Sequence, residues 1–208
     1  NEISVPVVTR LALDCPRIVG IQDSSRDFPR FLNTLHAVKP QRPGFSCLIG
    51  CEEILFPALL MGADGGTIAS SGVVPEVIMK LHHEFMTGNL AEARRIQLKL
   101  LDLINVMLTG TNFPEGFRAG MSLRGFTLGT SRQLLSPQEQ SDLAEIRGKL
   151  ACILTDCGFA EAASACRRPR LEETASPRIS NARNADQTKG LEVDSLVREI
   201  MEKLRAPQ

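Results

Sequence analysis

"RIVGIQDSSRDFPRFLNTLHAVKPQRPGFSCLIG", residues 17–50, is the stretch from which the fold follows. Its two ends, RIVGI and GFSCLIG, are short apolar runs, and such runs read as buried strands. Between them RDFPRFLNTLHAV has helical spacing and is closed by Pro40 and Pro43. Strand, helix and strand in succession form a βα unit that feeds a parallel sheet. At the end of the first strand stands Gln22, a long amide where an apolar residue would be ordinary. It is either a satisfied oddity or part of a site.

The same order extends outward. EEILFPALLMG (52–62) reads as a helix ended by Gly62, and GGTIAS (65–70) as a third strand of small residues. VPEVIMKLHHEFMTGN (74–89) is a helix with Pro75 near its start and Gly88 at its C-cap. Upstream, SVPVVTRLALDC (4–15) is a helix with Ser4 as N-cap and Val7, Val8, Leu11 and Leu13 near one face. Strands are therefore expected near 18–22, 45–50 and 65–70, parallel and adjacent. Beyond residue 90 the strands stop. LAEARRIQLKLLDLINVMLTG (90–110) is a long helix with Ile96, Leu100, Leu103 and Met107 on one stripe. PEGFRAGMSLRGF (114–126) is a shorter one, and Ser136, Pro137 and Glu139 open a third with a capping box. Helices are expected near 74–87, 90–109 and 136–157. Three parallel strands cannot close a barrel, and an open parallel sheet this small leaves its edges exposed. The chain also starts Asn-Glu-Ile without an initiator Met and has no Trp or Tyr. It reads as a piece of something longer.

Composition narrows the classes of function. The 24 basic and 24 acidic residues cancel, so nothing favours nucleic acid or an anionic membrane as partner. No apolar run reaches the roughly 18 residues of a membrane helix, and no signal peptide pattern is present. A cytoplasmic location is expected. Cys15, Cys47, Cys51, Cys152, Cys157 and Cys166 form no CxxC pair and no cluster with His. They read as thiols in a reducing compartment rather than a metal site or disulfide framework. His82 and His83 lack a carboxylate or Cys at ligand spacing. GADGG (62–66) precedes a strand instead of opening a helix, so it is no dinucleotide fingerprint. Cys47 and Cys51 flank Gly50 and read as buried structural cysteines. No metal or cofactor is expected.

Three blocks carry a resemblance: IVGIQDSSRD (18–27), FSCLIGCEEILFPALLMGADGG (45–66) and VVPEVIMKLHHEFMTGNLAEARRIQLKLL (73–101). In order and spacing they resemble the dihydrodipicolinate synthase / N-acetylneuraminate lyase family of pyruvate-dependent class I aldolases. The resemblance implies an α/β fold of the TIM (β/α)8 barrel type. Residues 1–159 would supply the last three βα units and the appended C-terminal helices, making a partial barrel. It implies a 2-oxo acid as small-molecule partner, and a homo-oligomer. Members typically read Val-Gly-Ile-Lys where this chain has Gln22, and that Lys forms a Schiff base with pyruvate. An imine requires a nucleophilic amine, whereas an amide nitrogen is delocalised into its carbonyl and cannot condense with a ketone. No lysine of this chain falls at a strand's carboxyl end, where barrel chemistry sits. Gly50 matches the family glycine whose carbonyl lies near bound pyruvate, although a turn would require glycine there equally well. Thr67 stands where the family has an Ile beside the imine. Arg26 replaces a usual Gly, and Gly72 a common Asn. Two readings remain open: a lyase that binds pyruvate or another 2-oxo acid non-covalently through Gln22, Gly50 and Thr67, or a catalytically silent member kept for oligomer assembly or ligand binding.

The tail reads separately. Residues 160–190 have almost no aliphatic bulk and are expected to be a flexible linker. Residues 191–206 return to an amphipathic helix, whose Val193, Leu196, Val197, Ile200, Met201 and Leu204 share one stripe. Over 191–205 it resembles the encapsulation peptides of microcompartment cargo, which implies a shell protein as partner and a place inside a bacterial microcompartment. Packing on its own barrel or self-association is as open a reading.

Overall fold

The computed structural model describes residues 3–109 and 112–167. Helix α1 (Val5–Asp14) leads into strand β1 (Gly20–Asp23), then α2 (Phe28–Val38) and β2 (Ser46–Ile49). A 3-10 turn (Glu52–Ile54) runs into α3 (Leu55–Leu60), followed by β3 (Gly65–Gly66) and a second 3-10 turn (Ala69–Gly72). Helices α4 (Pro75–Met86), α5 (Leu90–Thr109), α6 (Glu115–Leu123) and α7 (Pro137–Asp156) complete the order, with a 3-10 segment over Ala160–Ala165.

The three strands form one parallel sheet in the order β1-β2-β3. Gly20 to Asp23 pair in register with Ser46 to Ile49, and Leu48 and Ile49 pair with Gly65 and Gly66. Two successive right-sized crossovers, α2 and then α3, are what parallel neighbours require. β3 is shorter than expected because its pairing with β2 ends at Gly66, although Ile68 is still extended before the 3-10 segment at Ala69. Along β2, Cys47 and Ile49 are buried while Ser46 and Leu48 are only half-buried, the period-two alternation of a strand with one covered face. The covered face packs on Phe31, Leu35 and Val38 of α2 and on Leu55, Ala58 and Leu59 of α3 within one core. Arg42 fastens the α2–β2 connection to the segment ahead of β1, donating to the carbonyls of Ala12, Ile18 and Pro16.

The long helices follow their stripes. Ile96, Leu100, Leu103 and Met107 of α5 are all buried, and they share the core with Ile146, Leu150 and Leu154 of α7. The capping box at α7 is present: Ser136 Oγ accepts from Glu139 N, and Ser136 N donates to Glu139 Oε2 at 2.7 Å. α1 departs from expectation. Ser4 is its N-cap residue but its hydroxyl makes no capping bond. Val8 and Ala12 are the buried residues, whereas Val7, Leu11 and Leu13 are exposed. Only the flank at i and i+4 meets α2, and nothing among the described residues covers the other. Val19 is likewise 66% exposed, at the start of the sheet's open edge.

Two further expectations are corrected. Residues 160–165, placed in the linker from sequence, form a 3-10 helix folded back on α7 with Ala162 buried. That fold-back brings Cys166 to Cys152 with a Cα–Cα distance of 4.6 Å, and the two form a disulfide; Cys15, Cys47, Cys51 and Cys157 are free. A separation of 14 residues without a CxxC pair gave no local sign of this pairing, which depends on the tertiary turn. The rest of the linker and the helix expected over 191–206 lie outside the described residues. No helix among the described residues is long and apolar enough to cross a membrane.

Candidate functional site

The carboxyl ends of the three strands lie side by side, and the three residues singled out from sequence stand on them. Gln22 is the third residue of β1, opposite Leu48 of β2. Gly50 directly follows β2, its N–H donating to Asp23 O at 2.7 Å. Thr67 follows β3, tied to β2 by its N–H to Ile49 O at 2.9 Å. Each is held by ladder bonds that continue the sheet one residue past its regular strands.

Gln22 and Gly50 are in intimate contact. Gln22 Nε2 donates to Ser24 Oγ at 2.6 Å, and this pair lies directly over Gly50. A Cβ at position 50 would fall 2.0 Å from Gln22 Nε2 and 1.9 Å from Ser24 Oγ. A side chain at 50 would therefore displace the exposed Gln22–Ser24 pair, and it is this close approach rather than a positive φ that favours glycine here. Thr67 shares the edge with its side chain exposed. Ser24 was not singled out from sequence, yet it stands two residues after Gln22, the spacing that puts side chains on one side of an extended chain. With one amide N–H committed to Ser24, the carboxamide offers its other N–H and its carbonyl oxygen to a ligand. Gln22, Ser24 and Arg30 help line a cavity of about 230 Å³ at this end of β1.

The surrounding charges are paired. Asp23 is buried, ion-paired with Arg30, and accepts from Ser25 N at 2.8 Å. Arg30 also donates to Ile3 O. Asp23 is therefore an anchor for the loop after β1 and not a free base. Buried Glu52 accepts from Ser70 N at 2.6 Å, which fixes the turn after β3 against the turn after β2. Burial pushes the Cys51 thiol up from its ordinary value, and burial does the same to Cys47, so both stay protonated at neutral pH and are poor nucleophiles. Lys39 caps α2 and is held by Asp64 at 2.6 Å, while Lys80, Lys99 and Lys149 lie on α4, α5 and α7. Lys39 thus lies at the amino end of the sheet, the other three contact groups on helices, and Lys189 and Lys203 lie outside the described residues. Among the described residues no group of three His, Cys, Asp or Glu side chains is placed to hold a metal ion.

Arg26 carries the local strain. Its φ of 64° is left-handed, a region that costs a residue with a Cβ about 1–2 kcal/mol. Its guanidinium, itself exposed, lies 3.3 Å from the half-buried Glu53, and such a partly exposed pair returns little. Arg26→Gly is expected to stabilise the chain by about 1 kcal/mol in urea denaturation. A loss of stability would show that the Glu53 pair outweighs the backbone.

The profile of the dihydrodipicolinate synthetase family matches residues 1–152. An uncharacterised DapA-like lyase of Pyrococcus horikoshii is 29% identical over 155 residues, covering 74% of this chain and 53% of that protein. A probable 2-dehydro-3-deoxy-D-pentonate aldolase of Escherichia coli is 31% identical over 130 residues, 62% of this chain and 43% of that protein. Among solved structures, YagE of E. coli, a prophage protein of the dihydrodipicolinic acid synthase family crystallised in complex with pyruvate, matches with a TM-score of 0.67 and 25% identity. That match covers 74% of this chain and 52% of YagE. The chain spans about half the length of the relatives it matches.

Proposed function

Because the chain belongs to the dihydrodipicolinate synthetase family, we propose that its strand ends form part of a site for pyruvate or another 2-oxo acid, bound non-covalently through Gln22. The family relationship supports a lyase or aldolase ancestry and a partial TIM barrel. The observation that carries the finer reading is Gln22 itself: a carboxamide at the carboxyl end of β1, turned against Gly50 of the next strand. Its carbonyl and remaining N–H suit the hydroxyl of an enol or hydrate and the oxygens of a carboxylate. It supplies no amine for an imine.

One observation favours a second reading, a silent member kept for ligand binding or assembly. The Gln22–Ser24 pair is hydrogen-bonded to itself and already fills the space over Gly50. The experiment is borohydride reduction of the chain in the presence of pyruvate, followed by intact mass, with pyruvate binding followed by NMR on the same sample. No covalent adduct and saturable binding lost in Gln22→Ala is the expected result. An adduct on any lysine would overturn the non-covalent reading. No binding at any pyruvate concentration would leave the silent reading in its place.

A further inference from the structure

We propose that Cys152 and Cys166 form a reversible redox site whose disulfide latches the 3-10 segment Ala160–Ala165 onto α7 and, through Arg124, onto the start of α4. The segment has two points of attachment. At its near end, Arg124, the C-cap of α6, lies with its Cζ 3.8 Å from the centroid of the Phe159 ring and donates from Nε to Glu161 at 2.8 Å. The same guanidinium donates to Val73 O at 2.6 Å and to Glu76 Oε1 at 2.8 Å, gripping the residues that enter α4 directly after the turn following β3. At the far end stands the disulfide.

The segment's own apolar hold is slight. From Ala160 to Arg167 only Ala162 is buried; the others are exposed or half-exposed. Ala165 and Cys166 add only partly buried contacts with the core, and such small side chains do not offset the conformational entropy of ordering six residues. The Arg124 contacts and the covalent bond together hold the docked state, and breaking the bond shifts the equilibrium towards release. Cys152 and Cys166 are both half-exposed, within reach of a soluble thiol. Cys157 lies five positions from Cys152, but burial raises its thiol, which stays protonated and does not attack the bond from within. The reductant comes from outside. A dithiol's first thiolate attacks the Cys166 sulfur, and the Cys152 sulfur leaves as thiolate and takes a proton. The dithiol's second thiolate then closes on the mixed disulfide and frees Cys166. Two electrons pass to the protein, and the dithiol becomes its own disulfide.

The test uses the full chain without substitution. After incubation with oxidised glutathione and unfolding in urea, which exposes the buried Cys47 and Cys51, iodoacetamide should label four of the six cysteines, and after dithiothreitol all six. Hydrogen exchange of peptides covering 157–167 should quicken about a hundredfold on reduction, the loss expected on opening a loop of this length. Exchange within α5 should be unchanged, and glutathione reoxidation should restore slow exchange at 157–167. Cys166→Ser should exchange at the reduced rate under both conditions. Six labelled cysteines after oxidation would overturn the proposal, as would equal exchange in the two states. A disulfide that survives a large excess of reduced glutathione would do the same, making it a permanent staple.

Discussion

Gly116→Ala is expected to lower the melting temperature by about 10 °C, from a loss of about 3 kcal/mol spread over a chain of this size. Gly116 lies in the first turn of α6, where that helix runs against the backbone of α5. A Cβ there would stand 2.1 Å from Met107 O and 2.8 Å from both its carbonyl carbon and its Cα. These are main-chain atoms in the last turns of a buried helix, and no rotamer removes them. Helix propensity favours Ala over Gly by about 1 kcal/mol, which is too little to compensate. Gly120, one turn on, is the internal control. Its nearest obstacle is Val73 Cγ1 at 2.9 Å, a side-chain atom that can turn aside. Gly120→Ala should cost clearly less. Equal melting temperatures for Gly116→Ala and the parent, by calorimetry, would show that α6 and α5 are not packed this closely.

Gln97→Ala is expected to cost about 3 kcal/mol in urea denaturation. Gln97 is a buried amide on α5 that reaches the turn after β2 with both its groups. Its Oε1 accepts from Phe56 N at 2.8 Å, and its Nε2 donates to Glu52 O at 2.7 Å. Removing the side chain strands the Phe56 N–H, which costs about 1–3 kcal/mol unsatisfied, takes from the Glu52 carbonyl one of two donors (Leu55 N–H remains), and leaves a void besides. The damage should spread to the strand ends, because the Glu52 carboxylate on the same turn holds Ser70 N. Amide exchange at Ser70 should therefore rise in the variant. A cost under about 1 kcal/mol would mean that water takes both of Gln97's partners.

The features that could be read from sequence are those whose signal is local. The parallel strands, the α5 stripe and the α7 capping box each repeat within a few residues, and each stands where expected. Gln22 was conspicuous as a polar group ending an apolar run, and the structure brings it against Gly50. What could not be read depends on distant partners. Gln97 sits beside Ile96 on an otherwise ordinary helix, and its bonds go to residues 41 and 45 positions away. The face α1 buries is decided by α2, so periodicity alone chose the wrong neighbours for Val8. The Cys152–Cys166 pairing waits on a fold-back after Gly158, whose φ of 98° reverses the chain. The glycine was visible in sequence, but not the direction in which it sends the chain.

The packing of two side chains over Gly50 has a consequence for how this sequence can change. Positions 22, 24 and 50 share one volume, so they cannot drift independently. A Cβ at 50 meets both side chains, so it is admitted only when both Gln22 and Ser24 have moved, which breaks the hydrogen bond between them. Substitutions here are coupled: a change at position 50 is felt as a rearrangement of the exposed pair above it. A longer side chain at position 22 would meet the same two neighbours, Ser24 and Gly50.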